Sequence, residues 1–109
     1  MTEFASPDCL LTLVVPSALE EELLDLLRVQ PRLVPGFTLV PALGMGRHIH
    51  LATSMEQVQG RAQRVLVQLA ISQEGLRPLI AILRQAFPTP QVAYWATPLL
   101  DFGRLGELS

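Results

Sequence analysis

The run CLLTLVVP, Cys9 to Pro16, constrains this chain more than any other stretch. Its apolar residues do not alternate with polar ones. A strand built from it therefore carries apolar side chains on both faces, as a central, doubly covered strand does. It stops at Pro16, far short of the ~18 apolar residues that a membrane span needs. No basic region precedes it, so it does not read as a signal peptide. The chain must supply neighbours for this strand on both edges and cover for both faces.

The next segment, SALEEELLDLLRVQP, reads as a helix. Ser17 and Glu20 form an S-x-x-E capping box. Glu20, Glu21 and Glu22 occupy the first turn and Arg28 the end, as the helix dipole favours. Leu19, Leu23, Leu26 and Leu27 share one face, and Pro31 ends the run. GFTLVPAL, Gly36 to Leu43, reads as a second strand, with Pro41 placing it at an edge or bend. RVLVQLAIS, from Arg64, puts Val65, Val67, Leu69 and Ile71 on one face and Arg64, Leu66, Gln68 and Ala70 on the other. EGLRPLIAILRQAFP is a second helix with a stripe of Leu76, Leu79, Ile80, Leu83 and Phe87. Pro78 is tolerable only near its start. QVAYWATP, Gln91 to Pro98, is a fourth strand.

The order is β-α-β-β-α-β. It predicts an α+β, ferredoxin-like fold: a four-stranded antiparallel sheet with two helices on one face. Residues 1–8 read as a flexible leader, 9–105 as a single domain and 106–109 as a tail. The link between strands two and three should be a hairpin, for which ~2–5 loop residues suffice. Here it is LGMGRHIHLATSMEQVQGRAQR, which holds both histidines and no steady apolar period. Such a connection is either a projecting ribbon or a mobile functional loop.

Composition excludes several function classes. Net charge is −2 with no Lys/Arg cluster, which argues against nucleic-acid binding. One cysteine, Cys9, excludes an internal disulfide and a CxxC site. Hydrophobic residues are 50% and charged residues 17%, and mean hydropathy is +0.37. That is more apolar material than one small core hides, so a cytoplasmic homo-oligomer without membrane insertion is expected. Leu10, Leu66 and Trp95 should share the face away from Leu11, Val65, Val67 and Tyr94. Two helices cover only one such face, which leaves the other for neighbouring subunits or for the folded-back tail. Packing, not ligand stacking, is the expected role of Trp95 and Tyr94.

The fold hosts many functions. An RNA-recognition domain needs exposed aromatics on its central strands, and Leu10–Val14 and Val65–Leu69 have none. A copper chaperone needs CxxC after strand one, where VVPSAL stands, and an acylphosphatase needs a phosphate-cradling loop with an arginine there. No nucleophile–base pair is visible, so a non-enzymatic role is expected. DFG at Asp101–Gly103 lacks every other element of a kinase.

On CLLTLVVPSALEEELLDLL, Gly36-Phe37, QVQGRAQRVLV and YWATPLLDFGRL, the chain resembles a small bacterial PII-like family of unknown function. Members are often encoded beside heavy-metal efflux systems. The layout is also similar to PII signalling proteins, with their long T-loop, and to the CutA divalent-ion-tolerance family. The resemblance covers residues 9–105 and implies a trimer and a link to heavy-metal stress, with a membrane efflux protein as a candidate partner. The phosphate-binding glycines of PII proteins are missing after strand three, where ISQEGLRPL stands, so nucleotide binding is not implied.

Two sets of residues are candidates for a site. His48 and His50 form H-x-H, which in extended chain aims both imidazoles the same way. Met45 adds a soft donor, and copper, silver, zinc or cobalt are the candidate ions. A third ligand would come from Glu56, Met55, Cys9 or another subunit. Gly44, Gly46, Arg47, Arg61 and Arg64 could hold an anion or nucleotide through backbone N–H groups and guanidinium forks. The favoured expectation is a regulatory or binding protein that uses the 43–60 loop for an effector or partner. A soft-metal-binding protein with its site in that loop, and a structural oligomerisation module, are the alternatives.

Overall fold

The structure is a computed structural model that describes residues 6–45 and 62–107. Four strands, β1 (Cys9–Pro16), β2 (Thr38–Gly44), β3 (Ala62–Ile71) and β4 (Ala93–Pro98), form one sheet in the order β2-β3-β1-β4. All three pairings are antiparallel. Helices α1 (Glu20–Arg28) and α2 (Gln73–Ala86) complete the ferredoxin-like arrangement. The doubly apolar run is a central strand, as its composition requires, and the strand holding Pro41 is an edge strand.

Register assigns the faces. Cys9, Leu11, Leu13 and Val15 of β1 lie beside Ile71, Leu69, Val67 and Val65 of β3. With Leu23, Leu27, Leu79, Ile80 and Leu83 from the helices they form the core. Burying each such side chain is worth about 1.5–3 kcal/mol. The other face carries Leu10, Thr12 and Val14 beside Ala70, Gln68 and Leu66, with Trp95 opposite Thr12 and Val40 opposite Leu66. Leu10, Leu66 and Trp95 thus do share the face away from the helices. They are not all neighbours: Thr12 faces Trp95, and Leu66 stands on the far side of β1 from it.

The helix starts also differ from the sequence reading. Ser17–Leu19 form a 3-10 turn in which the Glu20 N–H donates to the Ser17 carbonyl. No side-chain cap bond forms, and α1 begins with Leu19 at its N-cap. The tight backbone turn takes the place of the expected capping box, and Leu24 joins Leu23 and Leu27 on the buried face. In α2 the cap is Ser72, whose hydroxyl accepts from the Gly75 N–H at 3.3 Å. Asp8 Oδ1 accepts from the Gln73 N–H at 2.8 Å, where the helix dipole favours a carboxylate. The Asp8 backbone also bonds to Ile71 and Leu99, so this residue of the expected leader ties β3, α2 and the end of β4 together. Pro78 lies in the second turn of α2, beyond the positions whose N–H groups are free anyway, so the Glu74 carbonyl lacks its helical donor.

Candidate functional site

The β2–β3 ladder sets the base of the long connection. It runs from Thr38 opposite Gln68 to Gly44 opposite Ala62, and residues 45–61 follow from that last pair. Gly44 ends β2. Met45 comes next and is 71% exposed. Gly46, Arg47, His48, His50 and Arg61 lie outside the described residues, as do Met55 and Glu56. Of the candidate site residues, the structure therefore places Gly44, Met45 and Arg64 at one end of the sheet.

Arg64 is the unusual one. It stands on the sheet face away from the helices, between Ala42 of β2 and Pro16 of β1, and only 4% of it is exposed. Its Nη1 donates to the Gln63 carbonyl at 3.3 Å, and its Nη2 donates to Gln91 Oε1 at 3.4 Å. Gln91 belongs to the segment between α2 and β4. The guanidinium so links the root of the connection to a loop 27 positions away in sequence. Burying a permanent charge requires hydrogen-bonded partners. No spacing rule points to Gln91, because only the tertiary fold brings it beside Arg64.

Cys9 belongs elsewhere. It is buried in the core opposite Ile71 and Pro98. Ala62 and Ile71 are opposite ends of β3, roughly 30 Å apart at ~3.3 Å per residue, so Cys9 sits far from the root of the connection. Burial, with a smaller contribution from the Asp8 carboxylate, raises its thiol pKa above the ordinary value. Both effects disfavour the thiolate that binds metal. Within one chain Cys9 is a packing residue and does not complete a site at Met45. Among the described residues, no three His, Cys, Asp or Glu side chains converge as a metal site.

On the helix side, Tyr94 lies at the margin of the sheet opposite Leu13. It accepts from Arg84 Nη2 at 3.1 Å, and the Arg84 guanidinium carbon is 5.8 Å from the ring centre. The packing role expected of Tyr94 holds only at the edge of the core. Among the described residues, no helix is long and apolar enough to cross a membrane.

A family model described as "Protein of unknown function (DUF3240)" matches residues 5–106. No curated protein matches the chain. Among solved structures, a DUF3240 family protein from Shewanella baltica OS155 superposes with a TM-score of 0.72 at 18% identity, covering 93% of this chain and 99% of that one. CPII from Thiomonas intermedia K12, a nitrogen regulatory PII-like protein bound to ADP, AMP and bicarbonate, gives a TM-score of 0.68 at 22% identity, over 90% and 94% of the two chains. A putative PII-like signalling protein from Thermus thermophilus gives 0.62 at 22%, over 86% and 87%. At these identities the likeness establishes the PII-like fold.

Proposed function

The chain belongs to the DUF3240 family, and we propose that it is a non-enzymatic regulatory or binding protein of the cytoplasm. In this reading the 43–60 segment takes an effector or a partner. The observation that carries it is the ladder ending at Gly44 and Ala62, with residues 45–61 between strands that a few residues could join. The buried Arg64 supports it, because the root of that segment is coupled to the α2–β4 loop through Gln91. A change in the segment can therefore be passed to the body of the domain.

Assembly as a homo-oligomer, with a trimer favoured, is part of the proposal. The sheet face away from the helices carries Leu10, Val14, Val40, Leu66 and Trp95, and Arg64 is its one charged residue in β1–β4. A solvated sheet face is normally polar. The same apolar face of neighbouring subunits is its simplest cover. Light scattering at micromolar concentration should return about three chain masses. A role in heavy-metal stress, with a membrane efflux protein as partner, is the physiological setting we favour.

A second reading is favoured by exposed Met45 at the root of a segment holding His48 and His50. It is a soft-metal site for copper, silver, zinc or cobalt, with Gly44, Gly46, Arg47, Arg61 and Arg64 as the competing anion cradle. One thermal-stability screen separates the readings, since a ligand of the native state raises Tm by mass action. The probes are copper(I), silver(I), zinc, cobalt(II), ADP, AMP and bicarbonate, each against the protein and its His48→Ala/His50→Ala double variant. A metal shift lost in the double variant supports the metal reading. A nucleotide or bicarbonate shift kept in it supports the effector reading. No shift with any probe removes small-molecule sensing and leaves the partner-docking role.

A further inference from the structure

A second cluster of charge lies on the helix side of β4, away from both the connection and the open sheet face. Arg77 and Arg84 are two turns apart on α2, so they share one side of the helix. Arg84 Nη2 donates to the Tyr94 phenol at 3.1 Å, and Arg77 lies on the same side of the helix, near enough to act on the ionisation of that phenol. The two described salt bridges are Arg28–Asp25 and Arg104–Glu107, so among the described residues neither Arg77 nor Arg84 pairs with a carboxylate. A pair of guanidiniums that meet a neutral hydroxyl keeps its charge uncompensated. The phenol responds to that charge: its pKa lies below the ordinary value, through the neighbouring guanidiniums of Arg77 and then Arg84.

Beside this cluster is an open cleft of about 420 Å³. Ile80, Leu83, Phe87, Pro88 and Val92 supply its apolar walls, and Arg84 and Tyr94 stand at its rim. A cleft of this size takes a small organic molecule. Apolar walls that meet a cationic rim select for an apolar body with an anionic head. Arginine forks suit the planar oxygen pair of a carboxylate or phosphate.

We propose that Arg77, Arg84 and Tyr94, with the cleft between α2 and the segment leading into β4, form a binding site for a small amphipathic organic anion. The head, a carboxylate or phosphate, sits against the Arg84 guanidinium, with Arg77 as a second positive charge nearby, and the apolar body lies along Leu83 and Phe87. The site lies outside the proposed effector segment, although its walls at Pro90 and Val92 flank Gln91, which bonds to Arg64 at the root of that segment. It also faces away from the surface proposed for assembly, so it stays accessible in an oligomer built on that surface.

Calorimetric titration with 1-naphthyl phosphate, 1-naphthoate, inorganic phosphate and 1-naphthol tests this. The naphthyl anions should bind more tightly than either the bare anion or the neutral alcohol. The first two compounds show which head the rim prefers. In the Arg77→Gln/Arg84→Gln variant, affinity for the naphthyl anions should fall by about tenfold or more, as loss of charge-assisted hydrogen bonds predicts. Both arginines are exposed, and an unchanged melting temperature would show that the variant remains folded. Equal affinity in the variant and the unaltered protein overturns the proposal, as does naphthol binding as tightly as the naphthyl anions.

Discussion

The two faces of the sheet use the same strands and end in opposite states. Toward the helices, Leu11, Leu13, Val15, Val67, Leu69 and Ile71 are all within 1% of complete burial. Toward the other side, Trp95 is 50% exposed and Val40 38%. Leu10, Val14 and Leu66 are half-buried. Thr12 is buried on that open face, because Trp95 and Gln68 flank it in register. The difference teaches that an apolar strand sequence states how much cover a sheet needs, not where the cover comes from. Two helices satisfy one face. The other face has the composition of a buried surface and lacks a partner among the described residues.

Mutations at matched depth should break or sharpen that contrast. The largest effect is expected on the helix side. Leu11→Ala removes a fully buried side chain and should cost about 2–5 kcal/mol in urea unfolding. A loss below about 1 kcal/mol, well under the usual cost of such a cavity, would mean that the helix-side core is not the seat of stability.

The next effect is expected on the open face, with a different readout. Trp95→Ala should weaken association by about 2 kcal/mol or more, as a central aromatic in an interface does. Light scattering on dilution would show a smaller species appearing at higher protein concentration than in the unaltered chain. The variant's secondary structure should persist, because Trp95 adds little to the helix-side core. A fully assembled Trp95→Ala protein would remove the open face as the assembly surface.

The smallest effect lies at the boundary between the faces. Tyr94 is the one tyrosine, so its ionisation can be followed by absorbance without overlap from another phenol. The nearby guanidiniums favour the phenolate, so ionisation should begin at lower pH than for a free tyrosine. Arg84→Gln should move the midpoint upward, toward the ordinary value. A midpoint unmoved by that change would show that Arg84 does not reach the phenol in solution.

Much of the architecture is legible from local patterns. CLLTLVVP is central because both its faces are apolar, and β2 is an edge because Pro41 cannot supply every ladder bond. The period of Val65, Val67, Leu69 and Ile71 gives their face directly. Element ends are less legible. β3 begins at Ala62 rather than Arg64, and β4 at Ala93 rather than Gln91, because ladder pairing with a neighbour sets where a strand starts. The cap of α1 departs from its motif for a related reason. S-x-x-E is compatible with a capping box, but the chain leaving Pro16 enters a 3-10 turn that commits the Glu20 N–H, the donor that the Ser17 hydroxyl would accept from, to the Ser17 carbonyl.

By itself, then, the sequence determined the class of fold, the central strand, the helix faces and the need for cover on a second sheet face. These follow from side-chain period and backbone chemistry, which act over a few residues. Only the tertiary structure decided which distant residues meet. It set Gln91 against Arg64, Asp8 against the first turn of α2, and Arg84 against Tyr94. It also put Cys9 at the far end of the sheet from Met45. Contacts of that kind depend on strand order and register, and these minimise the energy of the whole packed sheet rather than that of any one segment.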